Sequence, residues 1–254
     1  MNFGIVIILF IIGTIFGSFY NVVGYRIPKG ESILYPSSHC TKCNNKLKFY
    51  ELIPVLSFIF LGGKCKNCKT KISFFYPMFE LLTGIAFSGS YIVFGWSLET
   101  IYSIVFLSML IIIIISDYQT MIIPDNILIF FSLILCFIKY FIGGIESIGI
   151  SLIHALASFV FMLLLKLLGD FLFKKESMGG GDIKLLAVFG FVLDFPLSIV
   201  SVFLSAFIAL PISLIMLKFT KNHEIPFGPF LSIAATIIFL SKIDISFIIN
   251  LFVL

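Results

Sequence analysis

The chain has 254 residues, of which 60% are hydrophobic and only 12% charged, with a formal net charge of +4 and a mean hydropathy of +1.16. A typical soluble domain is about 45–50% apolar and about 25% charged, so this composition excludes a soluble globular enzyme, and its apolarity excludes intrinsic disorder. What remains is an all-α polytopic membrane protein: a spanning helix needs about 20 apolar residues, so the chain outside one polar segment holds roughly eight, in runs too long for the ~10-residue alternating strands of a membrane barrel.

In chain order, residues 3–23 carry no charge and form the first span (1–23 with the N-terminal residues). They do not read as a cleaved signal peptide, because Arg26 and Lys29 follow the apolar run and no basic segment precedes it. Residues 24–75 are polar and basic, hold four cysteines, and read as a small separate domain. Further spans are predicted at 76–96, 100–116, 125–143, 147–169, 183–193, 197–217 and 228–250, so that 76–254 forms a transmembrane core. The sixth of the eight is short enough to continue the preceding loop as a half-buried helix.

Lys and Arg set the orientation. Nine of the 17 lie in 24–75, and Lys174, Lys175, Lys184, Lys218 and Lys221 flank two later loops. With eight spans these three segments share one side, predicted to be cytoplasmic, while Glu99, Glu146 and Asp194 mark the other. The positive charge therefore calls for no nucleic-acid partner; it is the positive-inside pattern of a chain whose partner is the lipid bilayer.

Cys40-Thr-Lys-Cys43 and Cys65-Lys-Asn-Cys68 are two CxxC hooks with 21 residues between them. Four thiolates from two such hooks suit structural zinc, and a reducing cytoplasmic setting disfavours disulfides. A four-thiolate site is coordinatively closed, so its expected role is to hold the small domain together. A redox dithiol pair is the rival reading. His39 adjoins Cys40 and competes as a fifth ligand; Cys136 stands alone in an apolar span and reads as a small core residue.

An acid within a span costs roughly 2.5–3.5 kcal/mol on insertion scales, so such acids are functional candidates. Most of the 13 acids fall at predicted turns, loops or span ends. Asp117 follows Ile111–Ser116 at the end of one span, and Asp182 follows Gly179-Gly180-Gly181 at the start of another. The topology puts both at the same membrane face. Two close carboxylates share a proton, and such a pair can activate water and polarise a carbonyl with no metal. The bland alternative, helix capping, applies to Asp182 and Asp125, which open helices; it fails for Asp117, since an anion at a helix C-terminus opposes the dipole. The glycines permit close backbone approach or unusual dihedrals, and a phosphate cradle is disfavoured by Asp182 itself. Lys184 either tunes the pair or marks the boundary. Glu80 lies inside a span and needs a partner, for which Asn21 and Arg26 are candidates; otherwise it snorkels to water.

These residues resemble a known family. Met178-Gly179-Gly180-Gly181-Asp182-Ile183-Lys184-Leu185 is similar to the MGxGDxKL signature of type IV prepilin leader peptidases, intramembrane aspartic proteases of the GxGD type. Gly17-Ser18-Phe19-Tyr20-Asn21-Val22 with Arg26 and Pro28, the two CxxC hooks as a zinc-ribbon-like insert, Ile53-Pro54-Val55-Leu56-Ser57, Tyr76-Pro77 with Glu80, Asp117 with Pro124-Asp125, and Phe227-Gly228-Pro229-Phe230 resemble other segments of that family in the same order. The resemblance implies a peptidase that cuts the basic leader of type IV prepilins or pseudopilins after a Gly, at the cytoplasmic face of the cell membrane, with Asp117 and Asp182 as the catalytic pair. The cysteine-bearing insert implies a second activity, N-methylation of the new N-terminal residue with S-adenosylmethionine, for which Glu80, Asn21 and Arg26 are weak candidates. Other classes make different expectations. A coupled transporter needs acids near the midplane and often a repeat. A zinc-bound scaffold tolerates Asp→Asn at both positions. A protease like signal peptide peptidase usually carries a Tyr-Asp pair, where this chain has Ser116-Asp117.

Overall fold

A computed structural model describes residues 2–219 and 225–243, without the side chains of 216–219. Among the described residues the helices are α1 (Phe3–Arg26), α2 (Leu56–Phe60), α3 (Phe75–Phe94), α4 (Leu98–Thr120), α5 (Asp125–Phe173), α6 (Gly180–Leu193), α7 (Phe195–Phe219) and α8 (Gly228–Leu240). There is no strand among them, only two isolated β-bridges, so the expected all-helical class holds.

Among the described residues five segments are long and apolar enough to cross a membrane: Phe3–Lys29, Phe75–Phe94, Leu98–Thr120, Asp125–Phe173 and Phe195–Ile215. This is a multi-pass membrane protein. The 49-residue α5 is broken at Gly144, whose φ of 68° and ψ of −168° lie outside helical space. Glycine adopts such dihedrals without Cβ strain, so the two spans predicted on either side of this point are helical segments 125–143 and 145–173. The predicted sixth and eighth spans fall on α6 and α8, of 14 and 13 residues, shorter than a crossing requires. The eighth is expected to reach residue 250; residues 244–250, with Asp244, and Lys221 and Glu224 lie outside the described residues.

The chain divides into two compact units, Met1–Ile115 and Ser116–Leu254. In the first, α1 packs along α3 through a Gly13-xxx-Gly17 face. A Cβ on Gly13 would sit 2.6 Å from the Thr83 carbonyl oxygen, and one on Gly17 would sit 2.7 Å from Glu80 Cα. Small residues of this spacing let two helices approach backbone to backbone, which matters in a bilayer where burial of apolar surface drives no association. Buried hydroxyls bind the same unit across helices: Tyr20 donates to Ser108 at 2.8 Å, and Ser90 and Ser103 share a hydrogen at 2.7 Å.

In the second unit α6 is buried on nearly every side, with Leu185, Leu186 and Phe189 fully enclosed. A short helix that is apolar all round belongs in a core. Gly190 lies against the His154 carbonyl and Ser158 of α5, and Ser158 in turn meets Ser198 of α7 at 2.7 Å. These contacts fix α6, and with it Asp182, between its neighbours.

Candidate active site

Local bonds in the second unit position Asp117. Helix α4 stops at Met121, which takes a left-handed φ of 56° while its N–H holds the Asp117 carbonyl at 2.9 Å. Positive φ is strained for a long side chain and ends the helix as a C-cap glycine would. The hydroxyl of Ser116 then ties down the Ile122 carbonyl at 2.6 Å, and Pro124 opens α5. Asp182 is the third residue of α6, two after the first helical residue Gly180; Gly179, and not Asp182, is the N-cap.

Both aspartates are nearly enclosed, 6% and 7% exposed, and they lie close enough for the charge of Asp117 to act on Asp182. Asp117 Oδ2 accepts the N–H of Gly228 at 2.9 Å. Gly228 is the first residue of α8, so this carboxylate, unfavourably placed near the C-terminus of its own helix, meets the positive end of another. A Cβ on Gly228 would come within 2.6 Å of that oxygen. Within the glycine triplet none has positive φ, so the unusual dihedrals considered for it do not occur. The need for glycine falls on Gly181, where a Cβ would meet Ile123 at 2.8 Å; Gly180 faces open space.

The other acids of the described residues are otherwise engaged or exposed. Lys184 holds both oxygens of Asp125 at 2.7 Å, so Asp125 forms an exposed ion pair in place of the cap expected of it, and Lys184 is directed to Asp125. Asp194 pairs with His154 at 2.8 Å, Asp170 binds the backbone and hydroxyl of Ser177, and Glu51 receives the Lys48 N–H at 2.8 Å. Glu80 is buried, accepts the Val55 N–H at 2.7 Å and is bonded by Ser18; these, and not Asn21 or Arg26, are its partners.

The four cysteines lie in the first unit and converge: their sulfurs are within 4.8 Å of one another, with Cys40–Cys68 at 3.7 Å and Cys43–Cys65 at 4.0 Å, and none is in a disulfide. The two hooks are built alike. The Cys40 N–H bonds the Asn45 carbonyl and the Cys65 N–H the Thr70 carbonyl; Asn44 and Lys69, each one past the second cysteine, take left-handed φ of 52° and 59°. Bridges His39–Lys46 and Lys64–Lys71 close each loop. A tetrahedral ion with metal–sulfur bonds of about 2.3 Å spaces its sulfurs by roughly 3.8 Å, so the cluster fits a metal. Hydrogen bonds favour thiolate at two of the four, where Thr70 draws the Cys68 thiol down to about 6 and the backbone of Cys43 and Lys42 lowers Cys40, while the Cys43 thiol is raised. His39 is turned to the Ser37 carbonyl at 3.0 Å and is not among the cluster.

Sequence reasoning missed three contributors: the Gly13-xxx-Gly17 face, the Gly228 N–H, and the left-handed residues of the hooks. The first and third had a signal in residue spacing; the second is a contact across 111 positions and had none beyond the family resemblance.

Comparison with known proteins agrees with this layout. Residues 11–94 match the bacterial peptidase A24 N-terminal domain, and residues 104–214 match the type IV leader peptidase family. The chain is 39% identical to a prepilin leader peptidase/N-methyltransferase of Bacillus subtilis (strain 168), over 92% of this chain and 93% of that one. It is 31% identical to the protein of the same description from Neisseria gonorrhoeae, over 90% and 88% of the two chains. No solved structure matches it significantly.

Proposed function

Since this chain belongs to the type IV leader peptidase family, we propose that it cleaves the leader of prepilins or pseudopilins and then N-methylates the new N-terminal residue. The observation that carries the peptidase reading is the buried pair Asp117 and Asp182, held on separate helices of one unit while the other acids nearby have structural partners. Two interacting carboxylates share one proton. The ionised one takes a proton from water, the protonated one donates to the scissile carbonyl, and the resulting gem-diol collapses as the leaving amine is protonated. The Gly228 N–H keeps the Asp117 carboxylate in one orientation throughout. We assign the site to the cytoplasmic face of the cell membrane, where the basic residues of the chain gather and where a substrate with a basic leader and an apolar helix would present its junction.

The segment 24–75 acts as a small domain closed by zinc on Cys40, Cys43, Cys65 and Cys68; the four-sulfur set and its spacing support zinc over harder ions. S-adenosylmethionine would supply a methyl carried on sulfonium, which passes to the free amine while the carbon–sulfur bond breaks and its electrons stay on sulfur.

The test is mass spectrometry of a full-length prepilin incubated with the lipid-reconstituted protein and S-adenosylmethionine, beside Asp117→Asn and Asp182→Asn. Wild type removes the leader after Gly and adds one methyl mass; each variant loses cleavage by about 10²–10⁴. Cleavage by either variant at the wild-type rate refutes the pair.

A further inference from the structure

Residues 52–63 carry no charge, although they lie between Glu51 and Lys64 in the basic segment that joins α1 to α3. An apolar run of about 12 residues is too short to span a bilayer and suits a re-entrant or interfacial segment. The structure sets the depth of this run. The N–H of Val55 donates to the buried carboxylate of Glu80 on α3 at 2.7 Å. Glu80 in turn stands beside Gly17 of α1, where a Cβ would come within 2.7 Å of the Glu80 Cα. Gly17 lies about 13 Å along the axis inside the end of α1 at Arg26. Leu52 shares an open cleft with Ser18, Phe19 and Val22 of the same helix, about one to two turns inside that end. The segment therefore does not start where the helices stop. It runs back alongside them, level with their uncharged stretches.

Backbone polar groups at that depth have no water to bond and must be satisfied within the protein. The N–H of Val55 goes to Glu80, and Pro54 has none to satisfy. Those of Ser57, Ile59, Leu61, Gly62 and Gly63 bond the carbonyls of Ile53, Val55, Ser57, Ile59 and Phe58 at 2.9–3.1 Å. The side chains face outward instead. Leu56, Ile59 and Phe60 of α2 are spaced as one helical face and are 51%, 63% and 83% exposed. Exposed Lys46 and Lys48 precede the segment, and exposed Lys64 and Lys66 follow it. Apolar residues that would form a sticky patch in water are thus rimmed by cations whose long stems can reach anionic headgroups.

We propose that residues 52–63 form a re-entrant segment, which dips from the bilayer surface where α1 ends into the boundary between headgroups and acyl chains and returns. Leu56, Ile59 and Phe60 lie against lipid, and the flanking lysines stand at the headgroups. Lipid is the occupant of this face because both tethers of the segment, α1 and α3, are themselves apolar enough to span the membrane. The cysteine hooks close its mouth: Cys43 precedes the dip, Cys65 follows it, and their sulfurs are 4.0 Å apart. The inference is independent of the chemistry at Asp117 and Asp182.

Tryptophan fluorescence tests this, since Trp96 is the only tryptophan of the chain. The full chain carrying Trp96→Phe and Phe60→Trp is reconstituted in vesicles of phosphatidylglycerol and phosphatidylcholine. Its emission should lie to the blue of N-acetyltryptophanamide in buffer and resist quenching by aqueous iodide. Phosphatidylcholine brominated near the glycerol end of its chains should quench it more than lipid brominated near the methyl end, because an interfacial face sits about 5–10 Å into the boundary. Ile59→Trp in the same Trp96→Phe background should behave alike, and unchanged circular dichroism shows that each variant is folded. Quenching by iodide as strong as for the free amide, with no effect of brominated lipid, puts the face in water and overturns the proposal. Resistance to both quenchers overturns it too, by showing that protein, such as a second copy of the chain, covers the face.

Discussion

A single backbone N–H decides how Asp117 is presented. Gly228 donates to Oδ2 at 2.9 Å, and a Cβ there would displace the carboxylate. The far end of an aspartate can swing away at small cost to stability, but a misplacement of about 1 Å can cost about 100-fold in rate. Gly228→Ala is therefore expected to fold with little change in thermal midpoint and to lose roughly that factor in prepilin cleavage, measured on the reconstituted protein. Lys184 and Asp125 give the opposite expectation. Their ion pair is about half exposed on both sides, and exposed pairs contribute about 0–1 kcal/mol. Lys184→Met should shift stability by no more than that.

Among elements, the α1–α3 pair depends on glycine where two backbones meet. Relief of a Cβ at Gly17 requires movement of the Glu80 backbone, not of a side chain, and overpacking of this kind costs about 1–3 kcal/mol. Gly17→Ala should lower stability by that amount in detergent unfolding, and Gly89→Ala, on the same α3 with open space around it, should not. The cysteine hooks make a second element-scale expectation. The segment from 30 to 74 has two isolated bridges, a 3₁₀ turn at Phe49–Glu51 and one five-residue helix, too little regular structure to hold itself. Metal binding is then folding free energy. A strong chelator should release about one metal per chain and speed tryptic cleavage after the already exposed Lys46, Lys64 and Lys71 as the backbone around them unfolds, while the circular dichroism of the long helices persists.

For the whole molecule, the charge pattern predicts which side each loop occupies. An impermeant maleimide should label Glu99→Cys from outside intact cells and Lys175→Cys only in inverted vesicles, each read above the unsubstituted chain. Labelling of both from the same side would overturn the proposed orientation, and with it the cytoplasmic placement of the aspartates.

The membrane class, the long apolar helices and the paired hooks were legible in the sequence, and the two aspartates were candidates there, because each depends on local quantities: run length, charge per segment, Cys spacing, an acid in an apolar run. Asp117 stood out because a carboxylate after five isoleucines has no local reason to be there. What only the tertiary structure decided are the contacts across long separations. That Asp125 pairs with Lys184 and does not cap, that Glu80 answers to Val55 and Ser18, that Gly181 is the glycine the triplet needs, and that α8 reaches back to Asp117 all depend on which side chains the packing brings within about 3 Å. Hydropathy marks a helix as fit for a membrane, but settles neither how much of it the protein buries nor against what, as the well-buried α4 and the largely uncovered α5 show; that is set by shape and by the geometry of hydrogen bonds, which one-dimensional periodicity does not carry.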